Sequence, residues 1–115
     1  MGRIAERFAL LDERGETALI PFITVGDPDL ETSEALVLSM AEAGADFIEL
    51  GVPFSDPIAE GPTIQRSSER SLAGGTSLNA ILELVSRLRA KVEIPLILMG
   101  YANPIFAMGF ERFAK

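Results

Sequence analysis

Apolar side chains recur along this chain with a helical period in some stretches and form continuous runs in others. Ile4, Phe8 and Leu11 stand at i, i+4 and i+7, which predicts a short amphipathic helix ending near Gly15. A stronger stripe of apolar side chains at helical spacing follows Thr76 and Ser77, either of which can cap a helix. The apolar positions of that stripe are Leu78, Ile81, Leu82, Val85 and Leu88.

Three more segments have helical signals. Asp29 can cap a helix that stops at Gly44, and Pro62 fits the first position of a helix that ends at Gly74. Residues 105–115 resemble the start of another helix, with Phe110 and Phe113 as its apolar anchors. The predicted inner stripes are Leu36, Met40 and Ala43 in the first of these helices and Ile64, Ser68 and Leu72 in the second.

Three apolar runs, at residues 18–25, 46–52 and 94–99, predict strands. Pro21 interrupts the first run, which suggests a strand end at that point. The predicted order α-β-α-β-α-α-β-α implies βαβ units and a parallel sheet covered on both faces. We therefore expect one α/β domain over residues 1–115.

Composition narrows the possible functions. The 115 residues carry a formal charge of −7, which argues against a nucleic-acid partner. No run approaches the roughly 18 apolar residues of a membrane span, so we expect a cytoplasmic protein with no membrane partner. The chain has no Cys and no His, so disulfides and the commonest metal ligands are excluded. Any proton transfer must then fall to carboxylates, Lys or Tyr.

Glu49 is the best-placed carboxylate because it stands inside an apolar strand, between Ile48 and Leu50. A carboxylate in such a place is costly to bury unless it is paired, protonated or used. Alternation along the strand puts Glu49 on the face opposite Ile48 and Leu50, towards the axis of a barrel. Phe22 and Tyr101 are expected to line the same pocket, at the carboxyl ends of the strands.

Plainer interpretations of these residues stay open. Glu49 could form a buried ion pair with Arg or Lys, and Glu60 could be a solvated loop carboxylate. Phe22 and Tyr101 could simply pack in the core. The loop at residues 53–61 could be only a rigid connection, since Pro, Asp and Ser favour turns whatever the function.

Four motifs carry a resemblance to a known family. They are FITVGDP at residues 22–28, ELGVPFSDP at 49–57, GPTIQ at 61–65 and YANP at 101–104. Together they closely resemble the alpha subunit of tryptophan synthase, and the resemblance runs over the whole chain. It implies a (β/α)₈ TIM barrel, of which this chain is the amino-terminal portion through the third strand.

The resemblance also implies a lyase of tryptophan biosynthesis. In that family the alpha subunit cleaves indole-3-glycerol phosphate to indole and glyceraldehyde 3-phosphate in a retro-aldol step. It uses no metal or organic cofactor and passes the indole to a beta subunit that carries pyridoxal phosphate.

The resemblance assigns roles to individual residues. Glu49 matches the glutamate that moves protons at the indole ring and the glycerol hydroxyl. Glu60 stands where the family has an aspartate bonded to the indole N–H. The substrate-binding positions are Phe22, Tyr101 and Thr63, and the beta-facing positions are Asp56, Pro57 and Asn103.

Two departures from the family shape our expectations. Glu60 has one methylene more than the aspartate, and a displacement of about 1 Å can cost about 100-fold in rate. A complete barrel takes about 250 residues, and the family's phosphate-binding loops lie in its second half. We therefore expect this portion alone to be inactive, to bind substrate weakly and to self-associate through an open inner face at Phe22 and Phe47. The alternatives are a non-catalytic partial-barrel scaffold and a module that only activates a beta subunit.

Overall fold

A computed structural model describes residues 2–115, which form three parallel strands and the helices that connect them. The strands are short: Pro21 precedes the first, Gly51 ends the second, and Pro95 and Gly100 flank the third. The predicted parallel sheet is confirmed, and Pro21 does lie just outside the first strand. In chain order the elements are α1 (Arg3–Arg14), β1 (Phe22–Thr24), α2 (Leu30–Glu42), β2 (Ile48–Gly51), α3 (Pro62–Ala73), α4 (Leu78–Arg89), β3 (Leu96–Met99), α5 (Ala102–Met108) and α6 (Phe110–Ala114).

The sheet has the order β1-β2-β3, so the central strand is the one that carries Glu49. In the register of the sheet, Glu49 pairs with Phe22 of β1 and with Ile97 of β3. The carboxyl ends of all three strands therefore meet at one edge, and the loops that follow them lie together there.

The core lies between one face of the sheet and helices α2 and α4. Ile48 and Leu50 are fully buried on this face, as the alternation along β2 predicts. The helices contribute the fully buried side chains Val37, Ile81, Leu84 and Leu88. Glu49 is consequently turned to the opposite face.

Helix α2 differs from its predicted stripe. Leu36 is 40% exposed, whereas Val37 and Ser33 are fully buried. The helix has four consecutive apolar residues at this point, Ala35 to Leu38, so periodicity alone does not fix which of them faces inward. The Ser33 hydroxyl accepts a hydrogen bond from the Gly26 amide at 2.9 Å, which explains why a polar residue is on the inner side.

The inner face of the sheet is not open at Phe47. This side chain is fully buried, and its ring centroid lies 4.7 Å from that of Phe8 on α1. Helix α1 therefore covers the amino-terminal end of β2. The expectation of an open apolar face is wrong at this position, because it did not include packing by the first helix.

The β3–α5 connection is shorter than predicted. Helix α5 begins at Ala102, so Pro104 lies in its first turn, where its missing N–H is not needed. Gly109, with φ of 98°, separates α5 from α6. Phe110 is 62% exposed and is not an anchor, while Phe113 is half-buried.

None of the helices described for residues 2–115 has the length and the apolar character that crossing a membrane requires.

Asp46 ties α1 to the segment before β1. Its Oδ1 accepts hydrogen bonds from Arg7 Nη2 at 2.7 Å and Nε at 3.1 Å, and its Oδ2 accepts one from the Leu19 amide at 2.8 Å. The Leu19 amide, followed by the Arg7 guanidinium, holds the pKa of Asp46 below its ordinary value.

We expect Asp46→Ala to lower the free energy of unfolding by about 1–3 kcal/mol at pH 7, because the Leu19 amide and Arg7 lose a charged acceptor. The folded pKa is depressed, so the stabilisation by Asp46 is complete above the ordinary value of 3.8 and is lost as pH falls through the folded pKa. Urea denaturation from pH 7 to pH 3 should show the difference between parent and variant shrinking below about pH 4. Asp12→Ala, at an exposed carboxylate on α1, is the control. An Asp46→Ala effect that does not change with pH would contradict the assignment.

Candidate active site

A cavity of about 240 Å³ opens at the carboxyl ends of the three strands. All three strands contribute to its walls, as do the loops that follow β2 and β3, and α3 closes one side. The lining residues are Phe22, Thr24, Glu49, Gly51, Val52, Phe54, Pro57, Glu60, Ile64, Ser68, Met99, Gly100 and Tyr101. The structure thus brings together Phe22, Glu49, Glu60 and Tyr101, which the sequence analysis selected.

A second, larger groove of about 540 Å³ lies at the opposite end of the sheet. It is lined by α1 and by residues 93–95, just before β3, with Arg3, Arg7, Glu6 and Glu93 at its walls. Barrel enzymes place their chemistry at the carboxyl ends of the strands and use the other end for stability. We therefore take the smaller cavity as the candidate site.

Phe22 and Gly51 shape the floor of this cavity. A Cβ atom at Gly51 would lie 2.5 Å from Cζ of Phe22, so only glycine leaves room for the ring in its present position. The ring extends over the inner face of β2, next to Glu49. The sequence offered no signal for this contact, because an isolated Gly at a strand end is also typical of a simple turn.

Glu49 is half-buried at the inner face of β2. Within residues 2–115 no Arg or Lys side chain lies within ion-pair distance of its carboxylate. The interpretation of Glu49 as one half of a buried ion pair therefore gains no support from the structure. Glu49 is one of the residues that line the cavity.

Glu60 is held by Tyr101 and is not a freely solvated loop carboxylate. The Tyr101 hydroxyl donates a hydrogen bond to Oε2 of Glu60. The same hydroxyl oxygen accepts hydrogen bonds from the Ile58 amide at 2.8 Å and the Ala59 amide at 2.9 Å. The main-chain oxygen of Glu60 accepts a further bond from Nε2 of Gln65 at 3.1 Å.

Helix α3 is fixed over the end of β1 by hydroxyl groups. Thr24 Oγ1 lies 2.7 Å from Ser67 Oγ, and the Ser71 hydroxyl donates to the Val25 carbonyl oxygen at 2.6 Å. Ser68 is buried, as the predicted face implies, but Ser67 and Ser71 are the other buried residues of this helix, while Ile64 and Leu72 are only half-buried. This packing places Ile64 and Ser68 against the cavity.

An exposed ion pair supports the same arrangement. Nε and Nη2 of Arg70 each lie 2.9 Å from an oxygen of Asp27, which follows β1. The Arg70 guanidinium holds the pKa of the Asp27 carboxyl below its usual value. This pair was not predicted from the sequence, because the two residues are 43 positions apart and no local pattern links them.

The remaining candidate residues lie outside the cavity or at its rim. Thr63 is exposed in the first turn of α3 and is not among the lining residues. Asp56 is exposed and accepts a hydrogen bond from the Ser55 hydroxyl at 2.9 Å, while Pro57 lies at the rim. Asn103 is exposed on α5, beside a separate shallow groove. Three exposed or rim positions thus stand where the resemblance expects a partner.

The chemistry that the cavity can support follows from its lining. Two carboxylates face a space whose other walls are mainly apolar or aromatic, and none of the lining residues is Lys or Arg. Residues 2–115 contain no group of three or more Asp or Glu side chains that could hold a metal ion. A flat apolar ligand with N–H or O–H groups fits these walls.

Parallel strands joined by helices, with the candidate site at the carboxyl ends of the strands, are the arrangement found in one part of a TIM barrel. Comparison with known proteins gives the particular family. Residues 8–115 match the family model described as tryptophan synthase alpha chain, and this chain belongs to that family.

Several relatives show the extent of the similarity. The chain is 68% identical over 114 residues to the tryptophan synthase alpha chain of Citrifermentans bemidjiense, covering 99% of this chain and 43% of the relative. It is 59% identical to that of Geobacter sulfurreducens, with the same coverage. The chain therefore spans less than half the length of these relatives.

Solved structures confirm the fold. The crystal structure of the tryptophan synthase alpha subunit from Legionella pneumophila superposes with a TM-score of 0.97 at 44% identity, over 99% of this chain and 44% of that one. A tryptophan synthase structure from M. tuberculosis, in an aminoacrylate-bound form, superposes with a TM-score of 0.92 at 34% identity, over 99% of this chain and 46% of that one. The predicted family and the predicted partial barrel are both confirmed.

Proposed function

We propose that this chain supplies the two catalytic carboxylates of a lyase that cleaves indole-3-glycerol phosphate to indole and glyceraldehyde 3-phosphate. The observation that supports this most strongly is that Glu49 and Glu60, from different elements, line one cavity with aromatic walls. Membership of the tryptophan synthase alpha chain family supports the same assignment.

The proposed chemistry needs one proton carrier and one charge stabiliser. Glu49, which has no protein cation beside it, acts first as the acid and delivers its proton to the indole ring carbon that bears the glycerol chain. The indole N–H, now positively polarised, is stabilised by the carboxylate of Glu60. The carboxylate that the first step leaves on Glu49 then takes the proton of the adjacent glycerol hydroxyl, which allows the carbon–carbon bond to break. The bonding electrons return to the ring as indole, and the hydroxyl carbon becomes the aldehyde.

Phe22 and the ring of Tyr101 provide flat surfaces for the indole in this proposal. The substrate phosphate has no Lys or Arg in the cavity lining to receive it. We propose that the phosphate is bound by loops of the second half of the family's barrel, and that residues 2–115 alone bind the substrate weakly. Thr63, which lies outside the cavity lining, has no role in this scheme.

The proposed partner is a beta subunit that carries pyridoxal phosphate, and the alpha subunit itself uses no cofactor. Asp56 and Asn103 are exposed, and the side chain of Ile58, on the same loop as Asp56, is 90% exposed. These positions support a partner surface beside the cavity mouth. The cytoplasmic location stays a prediction.

We expect Glu60→Gln to lower kcat by about 100-fold, because the amide keeps the shape but loses the charge that stabilises the indole N–H. Glu60→Asp keeps the charge and restores the family's shorter side chain, so its kcat should match or exceed that of the parent. The assay is release of indole from indole-3-glycerol phosphate by a full-length barrel that carries this sequence.

The outcomes separate the competing functions. If Glu60→Gln and Glu60→Ala both leave turnover unchanged, Glu60 has no catalytic role. If the parent barrel releases no indole yet stimulates a beta subunit, the chain is an activating module. A molecular mass that rises with protein concentration, with neither activity present, would favour the self-associating scaffold. Within residues 2–115 the outer edges of β1 and β3 pair with no further strand, which would explain such association.

A further inference from the structure

The Tyr101 hydroxyl uses all of its hydrogen-bonding capacity within the protein. A phenol has one O–H donor and accepts about two hydrogen bonds. Here the donor is directed to Glu60, and the oxygen accepts the Ile58 and Ala59 amides. The hydroxyl therefore has no donor left for a bound molecule.

Those three contacts hold a loop that has few others. Residues 53–61 connect β2 to α3, and the loop is joined to β3 at its start, where the Val52 amide donates to the Met99 carbonyl oxygen at 2.8 Å. Across the middle of the loop, the Ser55–Asp56 bond is local. Within residues 2–115, the bonds recorded for the amides of Ile58 and Ala59 are those to Tyr101.

The ring of Tyr101 is itself fixed. It lies just beyond the end of β3 and is half-buried, and its centroid is 5.1 Å from that of Phe54 at a tilt of 32°. Phe54 belongs to the same loop, so the ring contacts one part of the loop while the hydroxyl binds another. The end of β3 thereby sets the position of the loop over the cavity.

We propose that Tyr101 is a positioning residue that fixes Glu60 and residues 58–59 over the cavity, and that its hydroxyl does not bind the substrate. The inference deepens the proposed function and rests on it for the kinetic part of the test. It limits the substrate-binding role that the resemblance suggested for Tyr101 to the ring, which forms part of the cavity wall.

The kinetic test is Tyr101→Phe in a full-length barrel that carries this sequence. Phenylalanine keeps the ring and its contact with Phe54 but frees Glu60 and the two amides. We expect kcat to fall by about 10- to 100-fold, because displacement of a catalytic group by about 1 Å has effects of that size. KM should change by less than about threefold, since substrate contacts remain. Ser55→Ala, which removes another hydroxyl of the same loop, should leave both constants unchanged.

A double-mutant cycle shows whether the hydroxyl acts through Glu60. In the Glu60→Gln background, Tyr101→Phe should lower kcat by less than about threefold, because the group that it positions is already inactive. If the reductions in kcat caused by Tyr101→Phe and Glu60→Gln were additive, the proposal would be overturned. A Tyr101→Phe variant with a higher KM and an unchanged kcat would also overturn it.

Amide hydrogen exchange gives a readout that does not depend on turnover. In Tyr101→Phe the amides of Ile58 and Ala59 should exchange at least about tenfold faster than in the parent, whereas exchange in α4 should not change. If both amides exchanged at the same rate in Tyr101→Phe as in the parent, the proposal would be overturned even if kcat fell. A parent barrel that releases no indole would defeat the proposed function, and the exchange result would still decide whether Tyr101 holds the loop.

Discussion

Glu49→Gln is expected to lower kcat for indole release by at least about 100-fold, the loss typical of a missing acid–base group. Glutamine has the same shape and similar hydrogen-bonding reach, but it cannot carry the proton. Glu49 lines the cavity, and within residues 2–115 no Arg or Lys lies within ion-pair distance of its carboxylate, so no neighbouring charge explains its presence there.

Two measurements on Glu49→Gln separate catalysis from structure. Turnover is measured in a full-length barrel that carries this sequence, with Glu83→Gln, at an exposed position of α4, as the matched control. The free energy of unfolding is measured by urea denaturation. It should stay the same or rise, because the variant breaks no ion pair. Turnover within a few-fold of the parent, together with a large loss of stability, would identify Glu49 as a structural residue.

Phe47→Ala should have the largest effect on stability, lowering the free energy of unfolding by about 3–5 kcal/mol. The ring is fully buried between the sheet and α1, so its loss removes the contact with Phe8 and leaves a cavity. Domains of this size are stable by only about 5–15 kcal/mol, so the variant should be close to unfolding.

The control for Phe47→Ala is Phe106→Ala, which removes a ring that is 72% exposed. Its effect on the free energy of unfolding should stay within about 0.5 kcal/mol in urea denaturation. Equal effects of the two substitutions would mean that α1 does not pack on the sheet as described.

Local patterns were sufficient for most of the fold. Continuous apolar runs gave the three strands, and caps such as Asp29 and Ser77 gave the helix starts, where each side chain accepts a hydrogen bond from an amide of the first turn. The errors occurred where two local rules compete. The last helical segment was expected from residue 105, but α5 begins at Ala102, because Pro104 is compatible with the first turn of a helix.

The candidate site was only partly predictable, for a different reason. Alternation along β2 placed Glu49 correctly because the neighbouring residues, Ile48 and Leu50, are unambiguous. The contact between Glu60 and Tyr101 joins residues 41 positions apart. No periodicity within either segment encodes it, because it depends on how β2 and β3 are placed side by side.

Phe22 and Gly51 have a consequence that concerns how such a site can change. The ring of the first fills the space that a side chain at the second would need. A side chain at Gly51 is therefore tolerable only when position 22 carries a smaller residue, and even then its Cβ would lie 3.0 Å from the Ile23 carbonyl oxygen. A lineage that placed a side chain at position 51 would first have to replace the ring at position 22 or pass through a strained intermediate.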